Sequence, residues 1–175
     1  YDKARNGYFL VCGEREWLTN REVLALCKIL LESRAFGKNE LKGLIDKLLM
    51  QVPPNDRKTV DDIIRCEYFN YVPLRHGKKL LTPIWKLSQY INRQEIISFG
   101  YVRKDGVATE RTVKPVAIMF SEYYFYLIAF LADDSKDYPT VFRIDRIKDV
   151  VGTKQRFDVP YCAQGLQLRT VSGCA

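Results

Sequence analysis

The chain has 175 residues, 47% of them hydrophobic and 28% charged, and a net charge of +7. That is enough for one full-sized domain or two small ones with a buried core, and too apolar for a disordered chain. No stretch reaches the roughly 18–20 apolar residues of a membrane span, and residues 1–20 lack the order of a signal peptide. A cytoplasmic protein with no membrane partner is expected.

The five cysteines (Cys12, Cys27, Cys66, Cys162, Cys174) are odd in number and contain no Cys-x-x-Cys pair. With His76 as the one histidine, neither a tetrahedral metal site nor a disulfide framework has support, and no cofactor is expected. Opening on Tyr1 in mid-pattern, with no Met, reads as a fragment of a longer protein. The charge is uneven. Residues 1–93 carry 17 Lys and Arg against 11 Asp and Glu, whereas residues 94–157 carry 10 against 9. The excess, with a small cluster at Arg75, His76, Lys78 and Lys79, raises the expectation of a phosphate-bearing partner. A merely solvated basic surface is the competing reading, and the role of that cluster stays open.

In chain order, Asn6-Gly7-Tyr8-Phe9-Leu10-Val11 reads as a turn and a strand whose partner is missing. Thr19-Asn20-Arg21-Glu22 has the spacing of a capping box. After it, Val23, Leu26, Cys27, Leu30 and Leu31 form one helical stripe, which predicts a helix over about 19–34. Leu41, Leu44, Ile45, Leu48 and Leu49 predict a second over 38–50, stopped by Pro53-Pro54. A further segment around Asp61-Asp62-Ile63-Ile64 has no readable type. Thr82-Pro83 offers an N-cap with proline at N1, before a stripe of Ile84, Leu87 and Ile91.

Near residue 94 the period changes to two. Ile97, Phe99 and Tyr101 alternate with Ser98 and Gly100, and Lys104-Asp105-Gly106 supplies a hairpin turn. The return strand, about 107–118, contains Pro115, which requires an edge, a bulge or a strand end there. Tyr123–Leu131 suits a strand buried on both faces, with Tyr124, Tyr126, Ile128 and Phe130 on one face and Tyr123, Phe125 and Leu127 on the other. Residues 133–137 turn the chain, 140–145 form another strand and 147–152 a last one. Short strands, tight turns and no crossover helices favour a small barrel or a strongly twisted antiparallel sheet.

Catalytic chemistry has little to stand on. His76 has no nucleophile near it in sequence, no phosphate-binding glycine loop appears, and no carboxylate pair can be read from spacing. The chain is expected to be no enzyme, with no catalytic residues. The strand arginines are more informative. On β-strands beside tyrosines, guanidinium forks match phosphate oxygens and aromatic rings stack bases. Against this stands the reading that Arg143, Asp145 and Arg146 form ordinary ion pairs at strand ends.

The blocks Ile97-Ser98-Phe99-Gly100-Tyr101, Asp105-Gly106, Arg111-Thr112-Val113-Lys114-Pro115, Phe125-Tyr126-Leu127 and Phe142-Arg143-Ile144-Asp145-Arg146-Ile147 together resemble a WYL domain. Phe125 stands where the naming tryptophan is usual. Upstream, the strand at 7–10 resembles the end of a winged-helix wing, and the helices at 19–34 and 38–50 resemble the linker of WYL transcription regulators. The resemblance implies an α+β chain: residues 1–12 the end of a wing, 13–93 a helical linker region, 94–157 a small Sm-like, SH3-type antiparallel β-barrel, and 158–175 the start of a truncated C-terminal extension.

It also implies a ligand sensor of a bacterial regulator whose DNA-reading winged helix-turn-helix is missing. The ligand would be single-stranded nucleic acid or a nucleotide, and operator DNA would be bound through the missing module, in a homodimer. Carried over by position, the ligand-binding residues are Tyr101, Arg111, Tyr126, Arg143 and Arg146. Arg111 and Arg143 would take phosphate, Tyr101 and Tyr126 would stack or hydrogen-bond, and Arg146 would buttress through Asp145. The alternatives are an accessory nucleic-acid-binding domain of a nucleic-acid-processing system and an oligomerisation module with structural arginines.

Overall fold

The computed structural model describes residues 18–74 and 77–158. The wing expected at 1–12, the tail beyond 158, and Arg75 and His76 of the basic cluster lie outside the described residues. Among the described residues, four helices and one five-stranded antiparallel sheet make the fold α+β. They fall into two compact units, residues 18–33 with 38–72, and residues 34–37 with 73–158.

The first unit packs α1 (Asn20–Ser33), α2 (Lys38–Leu49) and α3 (Arg57–Phe69) around Val23, Cys27, Leu31, Leu41, Ile45, Val52, Val60 and Ile64. Its entry is the expected capping box. The Thr19 backbone N–H donates to Glu22 Oε2 (2.7 Å), and the Glu22 N–H donates to Thr19 Oγ1 (3.3 Å). Two donors that the first helical turn leaves without partners are thereby satisfied. Arg57 reaches back to close α2, its Nε donating to the Val52 carbonyl at 2.9 Å and its Nη2 to the Met50 carbonyl at 3.0 Å. The segment without a readable type is helix α3. It escapes a periodicity test because only Val60 and Ile64 face the core, one turn apart, amid charged neighbours.

In the second unit α4 (Leu81–Asn92) contacts the sheet, with Leu87 fully buried. Its N-cap is Leu80 rather than Thr82, so Pro83 is the third helical residue instead of the first. The proline is still tolerated there, because the first four N–H groups of a helix have no intrahelical acceptor.

The strands are β1 (Glu95–Val102), β2 (Ala108–Ser121), β3 (Tyr124–Leu131), β4 (Thr140–Arg143) and β5 (Ile147–Arg156), in the spatial order β4-β3-β2-β1-β5. Gly106, at φ 83°, makes the β1–β2 turn, where a side chain would be strained. Of the three outcomes that Pro115 permits, the bulge is the one found. β2 is a central strand, and its register against β3 shifts between Pro115 and Ala117. The missing N–H therefore falls where the ladder is already interrupted.

The expected closed barrel is not formed by the described residues: β4 and β5 are the two edges and share no ladder. The sheet is nonetheless wrapped. Only the 3₁₀ turn Ile144–Arg146 separates β4 from β5. The four Cα–Cα steps from Arg143 to Ile147 reach about 14 Å at most, whereas opposite edges of a flat five-stranded sheet lie roughly 19 Å apart. The curl brings Phe142 of β4 onto Phe99 and Tyr101 of β1, with ring centroids 5.4 and 5.2 Å apart in edge-to-face geometry. Ile97, Phe99, Val113, Leu127, Ala129 and Phe142 fill the concave face, and Phe36 packs on Phe125 further along it.

Candidate functional site, a basic cleft on the concave face

Strand register sorts the five candidate residues. Tyr101 pairs with Thr109 and Phe99 with Arg111, so Tyr101 and Arg111 are diagonal neighbours on the concave face. Arg143 pairs with Tyr126, one step along from the Phe142–Leu127 pair, so both stand on the opposite, convex face. What reads in sequence as one cluster is thus divided by the thickness of the sheet. Arg146 lies in the 3₁₀ turn and joins neither group through any ion pair among the described residues.

On the convex face Arg143 is held tightly. Its Nε and Nη2 donate to Asp145 Oδ1 and Oδ2 at 3.0 and 2.7 Å. Its guanidinium carbon stands 3.6 Å from the centre of the Tyr124 ring. Burial alone would lower the Arg143 pKa, but the Asp145 hydrogen bonds and charge outweigh it and the value is raised. The Tyr126 hydroxyl is pushed up, chiefly by burial, with the Arg143 charge opposing. Asp145, only 8% exposed, pairs with Arg143, and among the described residues no ion pair joins it to Arg146. Tyr124, which sequence reasoning left without a role, is the platform. Its spacing two residues before Tyr126 on one strand face was the available signal.

The Asp145 backbone carbonyl accepts from Lys78 Nζ at 2.6 Å, so one member of the basic cluster anchors the turn. From the other face, the Tyr101 hydroxyl accepts the Arg143 N–H at 3.4 Å. These bonds fix the β4–β5 corner from both sides.

The concave face opens at this corner into a cleft of about 420 Å³, within the roughly 300–1,000 Å³ of ligand sites. Tyr101, Phe142, Leu131 and Val141 give it apolar walls, Ser135 and Thr140 bring hydroxyls, and Arg103, Arg111 and Lys136 bring cations. Arg111 has no ion-pair partner among the described residues. Lys114, from the same motif block, is instead paired with Asp134 at 2.6 Å. Arg103 and Lys136 belong to loops on either side of the cleft, outside every motif block, and nothing in their sequence context marks them. Such a cavity can hold an anion against aromatic surface. Among the described residues no three metal-ligating side chains cluster, and no helix is long and apolar enough to cross a membrane.

Comparison with known proteins bears on these residues directly. Residues 84–151 match the family model of the WYL domain, from within α4 to the middle of β5, so a WYL domain is present. Among solved structures the chain is similar to proteasome accessory factor B/C (PafBC) of Arthrobacter aurescens, at 17% identity and a TM-score of 0.39. That match covers 79% of this chain and 21% of that one, so this chain spans about a fifth of its length. A search of curated proteins finds no match.

Proposed function

We propose that this chain is the ligand-sensing part of a bacterial transcription regulator, with single-stranded nucleic acid or a nucleotide as ligand and no catalytic activity. The observation that carries the reading is the meeting of two motif residues, Tyr101 and Arg111, in one basic, aromatic-walled cleft of the WYL domain. Arg111 takes a phosphate through charge-assisted hydrogen bonds, and Tyr101 and Phe142 offer rings to a base. Arg143 acts from the other face as a positioning residue, because Asp145 and Tyr124 already occupy its guanidinium.

Binding would act by linkage. A ligand that prefers one arrangement of β1, β4 and the corner between β4 and β5 shifts the population toward it. The shift would reach operator DNA through a winged-helix module N-terminal to these residues, in a cytoplasmic homodimer. The test is fluorescence anisotropy of short labelled single-stranded DNA and RNA over a salt series, with Arg111→Ala and Arg143→Ala alongside. Salt-sensitive binding lost in Arg111→Ala supports the cleft. Undiminished binding by a folded Arg111→Ala variant refutes it. Loss in Arg143→Ala alone would move the site to the convex face. If no anionic ligand binds or raises the melting temperature, an oligomerisation role gains instead.

A further inference from the structure

The cleft carries more positive charge than a strand interior needs. Three cations, Arg103, Arg111 and Lys136, line it against one carboxylate, Asp133. Asp133 is directed into its own loop, where Oδ1 accepts the Ser135 N–H at 3.1 Å; the Ser135 hydroxyl first, then that N–H, and to a lesser degree the Arg111 charge hold its pKa below the ordinary range. Arg103 lies 3.7 Å from Asp105, but both side chains are at least half exposed, so the pair is weak and the guanidinium is free to turn. Lys136 stands 5.3 Å from the centre of the Tyr138 ring and has no carboxylate partner among the described residues. The lining residues themselves sum formally to two positive charges, with Asp105 beside Arg103 just outside the lining.

An internal phosphodiester brings one negative charge, whereas a phosphomonoester approaches two at neutral pH, its second pKa being about 6. The volume, about 420 Å³, sits low in the range of ligand sites and suits one nucleotide better than a run of them. The lining is also divided, with cations from the β1–β2 turn, β2 and the 132–139 connection, and rings from β1 and β4. A single phosphate group and a single base or sugar face can both be served.

We infer that the cleft recognises a terminal phosphomonoester nucleotide, with Arg103 and Lys136 as its specificity-determining cations. The inference rests on the reading of the cleft as a nucleotide site and deepens it. Two sources share this chemistry: a free nucleoside monophosphate and the phosphorylated end of a strand. Arg111 contacts any phosphate in the cleft, while the two loop cations distinguish the terminal dianion from a chain-internal monoanion.

The experiment is competition anisotropy at pH 7.5 and fixed salt with one short single-stranded sequence in three forms: 5′-phosphorylated, 3′-phosphorylated and without terminal phosphate. Adenosine and cytidine 5′-monophosphates are tested beside them. One phosphorylated form should bind roughly tenfold tighter than the unphosphorylated strand, as an added charge-assisted contact would give. The combined Arg103→Gln and Lys136→Gln variant, both residues being exposed, should reduce that ratio to near one, the phosphorylated form losing more affinity than the unphosphorylated strand. Competition by the monophosphates as strong as by the strand identifies a free nucleotide as the ligand, and much weaker competition identifies a strand end. Equal affinity for all three forms, with binding still dependent on Arg111, overturns this inference alone. An advantage that survives in the double variant does the same. No binding by any probe overturns both this inference and the reading on which it rests.

Discussion

Replacing Asp145 by Asn leaves the shape of the β4–β5 corner intact and removes the charge that holds Arg143. The pair is bidentate, with Asp145 8% and Arg143 22% exposed. Removing one partner of a fully buried pair costs about 3–5 kcal/mol. Arg143 keeps some water and its stack on Tyr124, so the expected loss is lower, about 2 kcal/mol. For a unit of this size that is about a 10 °C fall in melting temperature. Urea unfolding followed by near-ultraviolet circular dichroism suits the measurement, because Tyr101, Tyr124 and Tyr126 all report on this unit. A cycle with Arg143→Gln and the double variant isolates the pair, and its coupling should be about 1–2 kcal/mol. A coupling under about 0.3 kcal/mol would mean that Arg143 is not committed to Asp145, and its exclusion from ligand contact would fall with it.

Gly152→Ala places a Cβ 2.2 Å from Glu95 Oε1 and 2.7 Å from Tyr90 Cε1, while Glu95 Oε1 accepts the Lys154 N–H. The carboxylate must leave that bond, so a loss of about 1–3 kcal/mol is expected by urea unfolding, with partial recovery in Gly152→Ala combined with Glu95→Ala. Glu22 has its pKa lowered, first by the Thr19 backbone N–H and then by the Thr19 hydroxyl. Its contribution to α1 is therefore complete above the ordinary carboxylate range and lost as pH falls through the lowered folded value. Amide exchange at Thr19 and Glu22 should quicken over that window in the native chain and lose the pH step in Glu22→Gln. Cys66 is exposed and Cys27 is buried, with its thiol pKa raised by burial. Iodoacetamide should therefore label Cys66 in the folded chain and Cys27 only after urea, as read by peptide mass mapping.

Much of the fold was legible because local physics wrote it. The Thr19–Glu22 box, the stripes of α1 and α2, the Gly106 turn and the alternation of β1 each depend on residues within a few positions of one another. Helix α3 was not legible, since two buried residues in thirteen make no stripe. The start of α4 was misplaced because a Thr-Pro pair satisfies the rule for N1 proline equally well when it sits two positions further in. For the candidate site, the motif arginines and tyrosines were visible as a set, but their division was not. Arg111 and Arg143 look alike in sequence, yet one is open to a cleft and the other is closed by Asp145.

The sequence by itself determined the type of every helix but α3 and of the strands, the period change near residue 94, the bulge, edge or strand end demanded by Pro115 and the residue types able to hold a phosphate. The tertiary structure alone decided which strand lies beside which, that the sheet wraps without closing, and which face each arginine occupies. The physical reason is that a side chain's face follows from its own strand's alternation, whereas its neighbours follow from register and curl. Those depend on contacts such as Phe99 with Phe142, forty-three positions apart, that no local pattern encodes.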